Sequence, residues 1–119
     1  MRAGSRPAPF EAARPFAGAP AARTGRAVNI KKGQFLAPRD VRHVIEKVTA
    51  SGNDRILVTE RGASFGYNNL VVDMRSLPML RELGFPVIFD VTHSLQLPGG
   101  GDGVTAGLAE YIAPLASAG

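Results

Sequence analysis

The stretch ILVTERGASFGYNNLVVDMRSLPMLRELGFPVIFDV (56–91) decides the fold. Its first four residues, Ile56 to Thr59, form an apolar run that predicts a β-strand, and a run this continuous suits a strand covered on both faces. Gly62 and Gly66 flank a loop ending in Asn68 and Asn69, residue types that tolerate turn backbone. A short apolar run, Leu70 to Met74, leads to Ser76. That serine reads as an N-cap, with Pro78 in the first turn of a helix ending near Gly84. Val87 to Val91 predicts the next strand. Strand, helix and strand within about 35 residues is the spacing of a parallel crossover unit.

The same pattern extends in both directions. Upstream, Ala27 to Lys31 is a short β-prone run containing Val28 and Ile30. A helix follows over 38–50, where Val41, Val44, Ile45 and Val48 fall at i, i+3, i+4 and i+7. Pro38 suits its first turn and Gly52 its stop. Downstream, a glycine-rich loop over 97–107 separates the last strand from a helix over 108–118. Leu108, Tyr111, Ile112 and Leu115 share one face of that helix, and Pro114 sits inside it. The order is βα three times over, an α/β class. It fits the core of a small open sheet or part of a barrel.

The chain has 119 residues, enough for one small domain and too few for a closed eight-fold βα barrel, which takes about 250. Apolar content of 45% with 20% charge is that of a water-soluble protein. No apolar run approaches the roughly 20 residues of a membrane helix, so no membrane association is expected. Without cysteine, the chain has no disulfide and no thiolate metal site.

The net charge of +4 invites a nucleic-acid reading, and its distribution argues against one. Residues 1–32 carry seven cations against Glu11, a net +6, whereas the remainder carries seven cations and nine anions, a net −2. The basic segment offers only Phe10 and Phe16 for base stacking, so no nucleic-acid partner is expected. Residues 1–19, rich in Ala, Arg, Pro and Gly, read as a disordered leader without the apolar core of a signal peptide. A transit peptide matches their arginines and few acids, but not their shortage of serine. A mis-assigned start gives the same composition and is the preferred reading.

In parallel α/β folds the working residues stand just past the strands' C-terminal ends. Here those positions hold Lys31 and Lys32, then Glu60 and Arg61, then Asp90 and His93. Cations and an imidazole at equivalent places in successive units would converge on one rim suited to anions. Lysine offers a point charge, and arginine a planar fork for phosphate or carboxylate. Each also has a plainer reading: two lysines in a solvated loop, Glu60 and Arg61 as a structural ion pair, His93 as a cap. Asp73 reads as a structural acid. The glycines over 99–103 do not have the spacing of a phosphate loop and read as a lid or connector.

Three segments, VNIKKGQFLAP (28–38), ILVTERGASFGYNNLVVDMRSLP (56–78) and PVIFDVTHSLQLPGG (86–100), closely resemble the 3-deoxy-D-manno-octulosonate 8-phosphate synthase family over residues 20–119. The resemblance implies about three consecutive units of a (β/α)8 TIM barrel. It implies a cytoplasmic, homo-oligomeric parent transferase of lipopolysaccharide biosynthesis. That enzyme condenses phosphoenolpyruvate with arabinose 5-phosphate. By the same resemblance, Lys31 and Arg61 bind the phosphate end of phosphoenolpyruvate. His93 is a metal ligand in the branch that uses a divalent metal, and an imidazole nitrogen suits such an ion. Thr105 replaces a serine that holds the sugar phosphate. The loop over 105–111 lacks the basic residue usual in the family, which alters that part of the pocket. The resemblance assigns no catalytic acid or base within the chain. The 119 residues alone are expected to be inactive, with unpaired sheet edges and part of the pocket wall missing. Two rival functions stand beside this one: a related phosphoenolpyruvate-dependent synthase using another aldose, and a non-catalytic anion-binding module.

Overall fold

The structure, a computed structural model, describes residues 18–101 and 104–119. Three strands form a parallel sheet: β1 (Val28–Lys31), β2 (Ile56–Glu60) and β5 (Val87–Phe89), in the order β1-β2-β5. Ile30 stands opposite Val58, and Val58 opposite Val87, so one row of aliphatic side chains crosses all three strands. That row continues the period-2 alternation of each strand. A helix α2 (Val41–Ala50), entered through a 3-10 turn at Pro38–Asp40, covers it with Val41, Ile45 and Val48. Leu80 from α3 (Ser76–Arg81) and Ile56 complete the buried cluster. A stripe three to four residues apart on α2 thus meets a stripe two apart on the sheet.

A helical turn before β1, α1 (Ala19–Ala22), was not read in the sequence. Ala22 is buried in the core, and the buried Asn53 side chain donates to Ala22 O at 3.0 Å and Arg26 O at 2.8 Å. Asn53 Oδ1 accepts from Arg55 N at 2.9 Å, so one amide stitches α1 to the entrance of β2.

Along Ile56–Glu60 every side chain is buried or half-buried, as the continuous apolar run predicts, while the strands on either side leave Asn29, Lys31 and Ile88 exposed; Thr59 Oγ1 donates to Asn29 Oδ1 at 2.6 Å. Three expectations need correction. Ser76 is not an N-cap, because it lies inside the first helical turn with Arg75 at the cap position, and its buried Oγ has no partner among the described residues. Asp73 does the capping work instead, accepting from Arg75 N at 3.0 Å while its carbonyl accepts from Ser76 N at 2.8 Å. The strand expected to reach Val91 stops at Phe89. The glycine-rich loop is a hairpin, β6 (Gln96–Gly101) with β7 (Val104–Gly107), antiparallel with a register shift between Leu97 and Gly101.

The turn over 62–69 is a second hairpin, β3 (Ala63–Gly66) with β4 (Asn69–Val71), closed by Tyr67 and Asn68 at φ 53° and 55°. Two central residues at positive φ match the twist of the flanking strands. The chain ends in a 3-10 turn at Ala109–Tyr111 and a helix α5 (Ile112–Ala118); the short turn α4 (Val91–Ser94) belongs to the site. Among the described residues, no helix is long and apolar enough to cross a membrane.

Candidate functional site

The site begins where β5 gives way to α4. Asp90 caps α4, its Oδ1 accepting from His93 N at 3.1 Å, while Ser94 Oγ donates to Asp90 O at 2.7 Å. Asp90 N donates to Glu60 O at 2.9 Å, so the cap is still pinned to the end of β2. A carboxylate three residues before the amide it accepts is the geometry of a helix start, and it diverts the backbone out of the sheet.

The other carboxylate oxygen faces the rim. Asp90 Oδ2 lies 2.6 Å from His93 Nδ1 and 3.3 Å from Lys31 Nζ. Burial alone would raise the Asp90 pKa. The His93 backbone N–H, the His93 ring and the Lys31 ammonium outweigh it and hold the carboxyl below its ordinary value. Ionised, Asp90 can only accept, so His93 Nδ1 carries the proton of that hydrogen bond and Nε2 is the ring nitrogen turned away from it. Arg61 reaches the same turn: one Nη2 donates to His93 O at 3.1 Å and to Gln96 Oε1 at 2.9 Å. Its Nε is buried with no partner among the described residues.

Lys31 and His93 thus meet on Asp90, and Arg61 joins them through the His93 carbonyl. Thr105 lies on β7, and its side chain falls outside the described residues. The sequence places Asp90 at a strand end beside His93 but gives it no role, and Gln96 left no signal.

The neighbouring residues Lys32 and Glu60 form a separate layer. Lys32 Nζ lies 3.1 Å from Glu60 Oε2, and both side chains are almost wholly buried, 1% and 2% exposed. Glu60 therefore pairs with Lys32, not with the Arg61 side chain, and Lys32 is not in a solvated loop. A cavity of about 450 Å³ opens beside this pair, bounded also by Asp73 and Ser76.

For a divalent metal, His93 Nε2 is a suitable donor, oriented by the carboxylate behind it. Among the described residues no three His, Asp or Glu side chains are grouped to hold an ion, and Asp90 Oδ2 is already shared by His93 and Lys31. The described residues therefore fit one ligand of such a site and not a whole one.

Proteins described as 2-dehydro-3-deoxyphosphooctonate aldolase match this chain at high identity. The one from Geobacter metallireducens is 64% identical over 98 residues, covering 82% of this chain and 36% of the relative. That from Syntrophobacter fumaroxidans is 65% identical over 95 residues, 80% and 33% of the two lengths. That from Brucella ovis is 62% identical over 98 residues, 82% and 35%. The chain spans about a third of the length of the curated relatives it matches. The family model for the DAHP synthetase I family matches residues 18–118, and the chain belongs to that family.

Proposed function

We propose that residues 20–119 supply about three consecutive βα units of a (β/α)8 barrel. Its reaction joins phosphoenolpyruvate, D-arabinose 5-phosphate and one water to give 3-deoxy-D-manno-octulosonate 8-phosphate and inorganic phosphate. The observation that carries this reading is the shared rim, where Lys31 and Arg61 are linked through two residues, Asp90 and His93. Lys31 and the Arg61 fork take the phosphate end of phosphoenolpyruvate, offsetting its charge as the enol carbon attacks the aldehyde and phosphate departs. His93 Nε2 supplies one ligand where a divalent ion is used, and such an ion polarises an oxygen as a Lewis acid. Thr105 is assigned to the sugar phosphate. The printed name of the relatives favours this substrate pair over another aldose.

The test replaces the matched 98 residues of the Geobacter metallireducens relative with those of this chain and measures phosphate release that depends on arabinose 5-phosphate. The hybrid is expected to turn over. Lys31→Ala or Arg61→Ala within it should each lower kcat/KM by about 10- to 100-fold, the scale of one or two charge-assisted hydrogen bonds. Arg61→Lys should not restore it, since a point charge cannot replace the fork. A folded hybrid with no turnover, or one indifferent to both alanines, refutes the assignment.

A further inference from the structure

The buried Lys32–Glu60 pair lies against the backbone of Arg61, the residue proposed above to bind substrate. Glu60 Oε2 accepts from the backbone N–H of Arg61 at 3.0 Å. Lys32 Nζ donates to the carbonyl of Gly62 at 3.3 Å and to that of Gly33 at 3.4 Å. The peptide group before Arg61 and the one after Gly62 are therefore both tied to one ion pair, whose own N–O distance is 3.1 Å. The pair also links the ends of β1 and β2, through residues 28 positions apart in sequence. We propose that Lys32 and Glu60 are positioning residues that fix the backbone of Arg61, and with it the guanidinium, for an anionic substrate.

Three observations support this over a role in stability alone. Replacing a buried ion pair with apolar groups of similar size is often neutral or stabilising, so packing does not require these charges. Both side chains spend their polar atoms on the backbone at 60–62 and 33 rather than on distant elements. Gly62, at φ +89°, has Ser94 Cα only 3.2 Å from where a Cβ would stand, so the Arg61–Gly62 backbone sits directly on the turn that carries His93. A small tilt of that backbone moves the guanidinium off His93 O and Gln96 Oε1, and contacts of this kind fail within about 1 Å of misplacement.

The inference rests on the proposed role of Arg61, and the experiment separates the two. Phosphoenolpyruvate is titrated into the ¹⁵N-labelled 119-residue chain and followed by NMR, with urea unfolding measured in parallel. If the wild-type chain shows no shifts at Arg61, the substrate assignment fails. If it binds, the double variant Lys32→Met with Glu60→Leu decides: we expect an unfolding midpoint at or above wild type with affinity about tenfold weaker, the scale of one misaligned charged hydrogen bond. Wild-type affinity in the folded double variant overturns the inference. Hydrogen exchange in the wild type gives a second reading that needs no variant to fold. The Arg61 amide should exchange as slowly as the sheet amides, and exchange at the rate of an exposed loop amide overturns the inference equally.

Discussion

Replacing Gly62 with alanine separates backbone strain from close approach, because the fold contains its own control. Gly62 and Gly52 have nearly the same backbone, φ +89° and +88°. An L-residue in that region costs about 1–2 kcal/mol, reduced by about 0.4–1 kcal/mol because alanine is less free than glycine in the unfolded chain. At Gly52 a new Cβ meets nothing within 4 Å, so Gly52→Ala should cost about 0.5–1 kcal/mol. At Gly62 the same atom lies 3.2 Å from Ser94 Cα and 3.4 Å from both Ser94 O and Val71 O. All three are backbone atoms that cannot rotate away, and overpacking of this kind adds about 1–3 kcal/mol. The two variants should therefore differ by about 2 kcal/mol, which at a slope near about 1.5 kcal/mol per M is roughly 1 M in urea midpoint. Urea unfolding of both variants, followed by circular dichroism at unchanged slope, measures it. Equal losses at the two glycines would show that Ser94 and Val71 do not press on Gly62, and the account of how α4 is seated against β2 would fail with it.

Asp90 predicts an acid dependence. Its folded pKa is held below the unfolded value, so its contribution is present above about pH 4 and is lost as pH falls through the folded value. Urea midpoints between about pH 6 and pH 2 should fall less steeply for Asp90→Asn than for wild type, and parallel curves would contradict the network drawn around it. Asn53→Ala leaves the carbonyls of Ala22 and Arg26 and the amide of Arg55 without their partner, and should cost about 2–3 kcal/mol by thermal or urea unfolding. Tyr67→Gly should stabilise by about 0.5–1 kcal/mol, since the tyrosine is fully exposed at φ 53° and has no packing to lose. A loss at this position would mean that its ring is engaged.

The parallel sheet and α2 were legible because both write their period into the sequence. Ile30, Ile56, Val58 and Val87 alternate, and Val41, Ile45 and Val48 recur at helical spacing. The hairpin over 96–107 was not legible. Its ladder is made of backbone hydrogen bonds between glycine-rich strands, and such pairing is independent of the side chains that propensity reads. Ser76 misled for a related reason. Serine and aspartate cap equally well by type, and only the turn geometry gives the work to Asp73. At the site, strand-end reasoning located Lys31, Arg61 and His93. It gave Asp90 no organising role, because the Lys31 partner of Asp90 stands 59 residues away and leaves no local pattern, and the three-residue spacing to His93 does not by itself show that the two meet.

Lys31 and Lys32 show why adjacent identical residues have opposite fates. Strand side chains alternate between faces, and a shift of one residue exchanges the faces. Val28 and Ile30 face the helices, and Lys32 continues their series just past the strand; Ile56 and Val58 do the same, and Glu60 continues theirs. The two buried series thus each end in a charge, of opposite sign, at the same level of the sheet, and the ion pair follows from parity alone. The other series runs through Asn29 to Lys31, through Leu57 and Thr59 to Arg61, and through Ile88 to Asp90. It ends in the rim groups, with the Lys31 side chain 51% exposed. One face of three parallel strands therefore ends in a buried ion pair while the other ends in charge at the rim. The step between the two is a single residue, so inserting or deleting one residue in β1 would exchange a buried lysine for a rim lysine.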